Sequence, residues 1–158
     1  MSGLLALYQD IILDHNRSPR NFRKLAHTSH EARGFNPLCG DKMTLYLEVE
    51  DQCIRDVGFE GSGCAISTAS ASLMTERLKG MTLEEAGRLF HEVHHYLTQP
   101  PDTPPSRAST LGKLEALGGV RQYPARVKCA TLAWHTLEAA LHNRLEPVTT
   151  ELEPDADR

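Results

Sequence analysis

Nothing in these 158 residues approaches the roughly 18 consecutive apolar positions of a bilayer-spanning helix. The longest apolar stretches are interrupted by charge, so a membrane anchor is not expected. The opening segment, MSGLLALYQDIILDHNR, has neither a basic leader nor a small-residue cleavage site, and it does not read as a secretory signal. An excess of positive charge is also missing. The formal charge is −4 and the basic residues are scattered, the densest group running from Arg17 to Lys24 among Asn and Pro, so no nucleic-acid partner is expected. Internal repeats are absent. Cysteine is scarce, at four residues, and a cytoplasmic location is expected, where a disulfide framework would not persist. Thiol chemistry or metal binding is the better use for cysteines placed in special local contexts.

What is present is an ordinary globular composition, 40 % hydrophobic and 24 % charged, in a length that suits one domain. Residues 4–15 carry Leu4, Leu5, Tyr8, Ile11 and Ile12 at helical spacing. Residues 22–38 are polar and broken by Gly34 and Pro37, with room for a short edge strand. Residues 43–50 alternate Met43, Leu45, Leu47 and Val49 on one face and predict a strand, and 53–60 predict a second strand in a hairpin with it. A helix follows from about Ala65 to Lys79. Thr82 and Glu85 form a capping-box pattern for another over 83–97. Gln99 to Ser109 holds four prolines and reads as a loop, Leu111 to Leu117 as a turn or two of helix, and Pro124 opens a last long helix. Residues 1–145 are therefore expected to form a single domain, with 146–158 an acidic, disordered tail. Strands that do not alternate with crossover helices imply an α+β fold with an antiparallel sheet of about three strands packed against several helices.

Three of the four cysteines sit in distinctive surroundings. Cys39 lies in Asn36-Pro-Leu-Cys-Gly-Asp41, a tight turn in which a thiolate and a carboxylate can face one point. Cys64 follows Gly61-Ser62-Gly63 at a strand end and a helix start, where free N–H groups and the helix dipole favour thiolate. Cys129 stands in the first turn or so of the last helix, where the helix dipole and the neighbouring Arg126 and Lys128 are expected to favour its thiolate too. Cys39, Asp41, Cys64 and Cys129 together would satisfy a tetrahedral zinc or offer thiolates to an iron–sulfur cluster. Cys53 begins a strand and is read as a packing or surface residue.

Two other patterns compete. His91-Glu-Val-His-His95 fits the HExxH signature of zinc proteases. On a helix, however, His91, Glu92 and His95 fall away from the stripe of Leu83, Ala86, Phe90, Val93 and Leu97, so a solvated face is the simpler reading. Cys129 and His135 are too far round one helix, about 120° apart in projection, to act as a nucleophile pair. Trp134 reads as a core aromatic.

The blocks NPLCGD, GFEGSGCAISTASAS and RVKCATLAWHTLEAAL, with LYQDIILDHNRSPRNF ahead of them, resemble the SufU/IscU (NifU N-terminal-like) family of iron–sulfur cluster assembly proteins over about residues 4–145. The resemblance implies a three-stranded antiparallel sheet, a site made by Cys39, Asp41, Cys64 and Cys129, and sulfur arriving as a persulfide from a cysteine desulfurase. Lys128 stands where the IscU branch has a histidine. Tyr123-Pro-Ala-Arg-Val-Lys128 replaces that branch's Leu-Pro-Pro-Val-Lys chaperone motif, and 99–119 resembles an insertion typical of SufU. These departures place the chain with SufU, which is similar to zinc proteins that accept sulfur from a SufS-type desulfurase and pass it to a separate scaffold. By position Cys39 resembles the sulfur-accepting thiol, able to act once released from the metal, and Arg126 a desulfurase-contacting residue. Self-assembly of a transient iron–sulfur cluster is the alternative, and a purely structural zinc a weaker one.

Overall fold

A computed structural model describes residues 2–103, 111–144 and 146–151. Part of the proline-rich loop (104–110) and the end of the acidic tail (152–158) lie outside the described residues. The elements run α1 (Ser2–Arg17), β1 (His30–Asn36), β2 (Asp41–Glu50), β3 (Cys53–Ser62), α2 (Ala65–Leu78), α3 (Leu83–Leu97), a 3-10 helical segment (Gly112–Gln122), α4 (Pro124–Leu141) and β4 (Val148–Thr149). The α+β class is as expected. No helix among the described residues is long and apolar enough to cross a membrane.

The sheet differs from expectation in one respect. It has four strands in the order β3-β2-β1-β4, with β1 and β4 parallel. The fourth strand comes from the segment expected to be disordered, so ordered structure continues past residue 145 to at least Glu151. Two residues of strand are too short to show a period of two, which is why pattern reading passes over them.

Cross-strand register builds the core. Ala32, Leu45 and Phe59 form one row, and Leu47 and Val57 stand opposite each other in the next. All five are buried, together with Leu73 and Met74 of α2 and the fully buried Trp134 of α4. Trp134 donates its indole N–H to Ser70 Oγ at 3.0 Å, and Ser70 donates to the Ala130 carbonyl at 2.6 Å. The small residues Ala69, Ser70, Ala71 and Ser72 thus serve close packing of α2 against its neighbours. Gly34 does the same for β1. A methyl group there would lie 2.1 Å from Thr136 Oγ1 of α4.

Helix α3 begins at the reciprocal capping box of Thr82 and Glu85. The 3-10 segment is pinned to its neighbours by Tyr96 Oη donating to the Glu115 carbonyl at 2.7 Å and by Arg121 over the Tyr96 ring.

Gly34 in β1 and Gly87 in α3 make a direct test of this packing. Gly34→Ala is expected to destabilise the fold by about 1–3 kcal/mol through overpacking against α4. Gly87→Ala, in α3 with open space where a Cβ would project, is expected to stabilise by about 0.5–1 kcal/mol. Denaturant unfolding of both variants checks the opposite signs; equal effects would show that α4 does not approach β1 this closely.

Candidate metal centre

The β1–β2 hairpin assembles half of the site. Its register ends on the pair Asn36 and Asp41, both directed inward by the same alternation that buries Ala32 and Met43. Between them runs the loop Pro37-Leu38-Cys39-Gly40. The Cys39 N–H closes a turn on the Asn36 carbonyl at 3.2 Å, and Gly40 takes φ +72°, a left-handed conformation that glycine adopts at no steric cost. Cys39 is exposed as a result, while Asp41 is 2 % exposed.

The β2–β3 register brings the second part. Lys42 pairs with Ser62, so the chain leaves β3 beside Asp41 and delivers Cys64 as the N-cap of α2. The Cys64 backbone N–H donates to Asp41 Oδ1 at 2.8 Å, and Cys64 Sγ lies 3.9 Å from Asp41 Oδ2. Gly63 permits this approach, because a Cβ there would stand 2.4 Å from Asp41 Oδ1.

Helix α4 supplies Cys129, 1 % exposed. Its Sγ is 3.3 Å from Cys39 Sγ, and both thiols are free. The ligand atoms of Cys39, Asp41 and Cys129 all lie within 4.8 Å of one another. Tetrahedral thiolate ligands at about 2.3 Å from a metal are about 3.8 Å apart, so these groups lie close enough together to share a single ion. Cys64 flanks the trio on the Asp41 side.

One expectation about this site is corrected. Cys129 is not a thiolate favoured by the helix start. It is the sixth residue of α4, past the turn where the dipole acts, and its thiol is pushed up, first by burial and then by hydrogen bonding with Cys39, Asp41 and Cys64. Lys128 does not offset this, because its ammonium pairs with Glu151 Oε2.

Asn36 carries no signal of a role in the sequence. It is fully buried, and its Nδ2 donates to Asp41 Oδ2 at 3.1 Å and to Cys129 Sγ at 3.3 Å. Arg126 is exposed. Its guanidinium covers the Tyr123 ring on the rim of a groove of about 530 Å³ that Tyr8, Ile12, Leu13 and Ile66 also line. Cys53 is half-buried, with Sγ toward the Gly80 carbonyl. His91, Glu92 and His95 are exposed on α3, and His135 packs its ring against Phe90 and His94, away from Cys129. Burial lowers the His135 pKa.

With that geometry in view, comparison with known proteins decides the family. The family described as NifU-like N terminal domain matches residues 7–130. The chain belongs to this family. It is 39 % identical over 140 residues to the zinc-dependent sulfurtransferase SufU of Bacillus subtilis, across 87 % of this chain and 90 % of that protein. It is 41 % identical over 146 residues to the iron-sulfur cluster assembly scaffold protein IscU of Thermotoga maritima, across 89 % and 96 %. The crystal structure of FiSufU, a SUF-system scaffold-type protein of Fervidobacterium islandicum AW-1, superposes with a TM-score of 0.75 at 35 % identity, covering 84 % of this chain and 94 % of that one. The NifU-like protein of Brucella abortus shares the fold at 24 % identity and a TM-score of 0.76.

Differential alkylation tests the asymmetry of the thiols. In metal-free protein under limiting iodoacetamide, exposed Cys39 is expected to label first and buried Cys129 last, as read by peptide mass mapping. Labelling of Cys129 as fast as Cys39 would contradict the arrangement.

Proposed function

We propose that this protein is a zinc-binding sulfur acceptor of the SufU type. It takes persulfide sulfur from a SufS-type cysteine desulfurase in the cytoplasm and passes it to a separate iron–sulfur scaffold. The observation that carries this reading is the exposed Cys39 thiol set 3.3 Å from the buried Cys129 thiol and beside the buried Asp41 carboxylate. A site meant only to hold an ion would close over all its ligands.

The donor set suits zinc. Cys39, Asp41 and Cys129 would hold the ion, with Cys64 as the fourth ligand. Bound there, zinc keeps thiols deprotonated that burial would otherwise keep protonated, and shields them from oxidation.

The chain's own residues set up the transfer. Gly40 gives the Cys39 loop a hinge, and exposure lets a partner's persulfide approach the sulfur. The Cys39 thiolate attacks the outer sulfur of the donor persulfide. A new S–S bond forms on Cys39, the donor's S–S bond breaks, and the electron pair leaves with the donor cysteine as thiolate. Asp41 and Cys129 stay behind as buried groups held by Asn36. Arg126, exposed above the groove that Tyr123 borders, is the residue proposed to meet the desulfurase.

Lys128 favours this reading over the cluster scaffold. Its side chain is drawn to Glu151 and offers no ligand where a histidine would supply one. The scaffold reading is supported by relatives named as scaffolds, the Thermotoga protein at comparable identity among them.

Cys39→Ser is expected to abolish persulfide acceptance from desulfurase and cysteine, measured by mass spectrometry of trapped protein, while the fold is kept. A Cys39→Ser chain that accepts sulfur at the normal rate would sink the assignment. Stoichiometric zinc in the purified protein is also expected, and its removal by chelator is expected to stop transfer with helix content retained. Collapse of the whole fold on chelation would instead indicate a structural zinc.

A further inference from the structure

The segment after α4 returns to the metal centre, and nothing in the sulfur chemistry above uses it. Val148 and Thr149 pair in parallel with Gly34 and Phe35 of β1, and the Thr150 N–H extends the ladder to the Phe35 carbonyl at 3.0 Å. This sets Thr150 beside Asn36, the last residue of β1. The Thr150 hydroxyl donates to Asn36 Oδ1 at 3.0 Å. One residue on, Glu151 takes the ammonium of Lys128, the neighbour of Cys129.

The Asn36 amide is fully used. Its oxygen accepts from Thr150, and its two N–H groups go to Asp41 and to Cys129. An amide has two orientations related by a flip, and the partners decide between them. The Asp41 carboxylate only accepts, so it fixes the NH₂ on its side and turns the carbonyl oxygen to the Thr150 hydroxyl, which donates to it at 3.0 Å and also lies 3.5 Å from Glu151 Oε2. The NH₂ then serves the carboxylate and the Cys129 sulfur together. The flipped amide would set its carbonyl against the Asp41 carboxylate and lose that bond.

We infer that Thr150 is a positioning residue for the metal centre, the end of a C-terminal strap that holds the Asn36 amide in its ligand-orienting state. This rests on the zinc reading for its consequence and on geometry for its existence. Partners behind metal ligands commonly change metal affinity by about 10–100-fold when removed. Thr150→Val keeps the shape of the side chain and removes the donor, leaving a buried carbonyl unpaired.

The test compares the full-length chain with Thr150→Val and Thr150→Ser. Zinc affinity is read by competition with a chromophoric chelator, and ligand geometry from the thiolate-to-metal absorption of the cobalt(II)-substituted protein. Thr150→Val is expected to bind zinc at least about 10-fold more weakly, with an altered cobalt spectrum, and Thr150→Ser to restore both. Equal zinc affinity in Thr150→Val and wild type would overturn the inference. So would equal losses in Val and Ser variants that track a drop in melting temperature, since that marks a merely structural contact. The side-chain amide proton resonances of Asn36 in metal-free protein give a readout independent of zinc. Both protons are expected to be protected in wild type and Thr150→Ser and to exchange faster in Thr150→Val; unchanged protection overturns the inference. A wild-type chain that takes up neither zinc nor cobalt refutes the metal reading alone, and the amide protection still decides the strap.

Discussion

The Asp41 carboxylate sits almost wholly out of water, and much of the local structure exists to make that tolerable. Burying a carboxylate costs several kcal/mol unless it is compensated. Oδ1 takes the Cys64 backbone N–H and Oδ2 takes the Asn36 amide. Gly63 is bare so that the backbone can come close enough. Among the described residues, the ion pairs lie elsewhere, so no ammonium or guanidinium completes the compensation. A divalent cation shared with Cys39 and Cys129 would supply the missing positive charge, which ties the proposed zinc to the energetics of the fold.

Register is what converts this constraint into a site. Asn36 and Asp41 are the closing pair of one hairpin, and Ser62 faces Lys42 across the next. A slip of one residue in either ladder would turn Asp41 toward solvent and carry Cys64 to the wrong side. The core rows of Ala32, Leu45 and Phe59 oppose such a slip, because it would expose them together. The packing of the sheet therefore guards the alignment of donors that contribute little to the core themselves.

Much of this was legible in the residues. The spacing within NPLCGD, the glycines before Cys64 and the proline opening α4 each signalled a local structure that the fold contains. The four-strand sheet was less legible, because Val148 and Thr149 lie among acidic and proline residues and acquire strand geometry only by pairing with β1. Asn36 was invisible as a participant for a related reason. An amide carries no charge and no periodicity, and its deciding partner, Thr150, comes from the far end of the chain. The behaviour of Cys129 is not legible in the sequence, because proximity to Arg126 and Lys128 says nothing about where those side chains point. Adjacent residues on a helix point about 100° apart, and Lys128 finds Glu151 instead.

A sulfur acceptor of the kind proposed must hold its thiols firmly yet present one of them to a partner, and those demands conflict at any single residue. Here they are divided between two. Cys129 is in a helix, 1 % exposed, hydrogen-bonded by Asn36 and lodged under the core. Cys39 is on a glycine-hinged loop, exposed, flanked by Leu38 at 62 % exposure. Motion of the loop costs few buried contacts, whereas motion of α4 would open the packing around Trp134. The rigid thiol can therefore preserve the geometry of the centre while the loop thiol leaves and returns. On the proposed reading, the exposed leucine beside Cys39 would give an approaching protein an apolar foothold next to that sulfur. Specificity for the donor would then lie in the loop and the neighbouring groove, and retention of the ion in Asp41, Cys129 and the amide behind them.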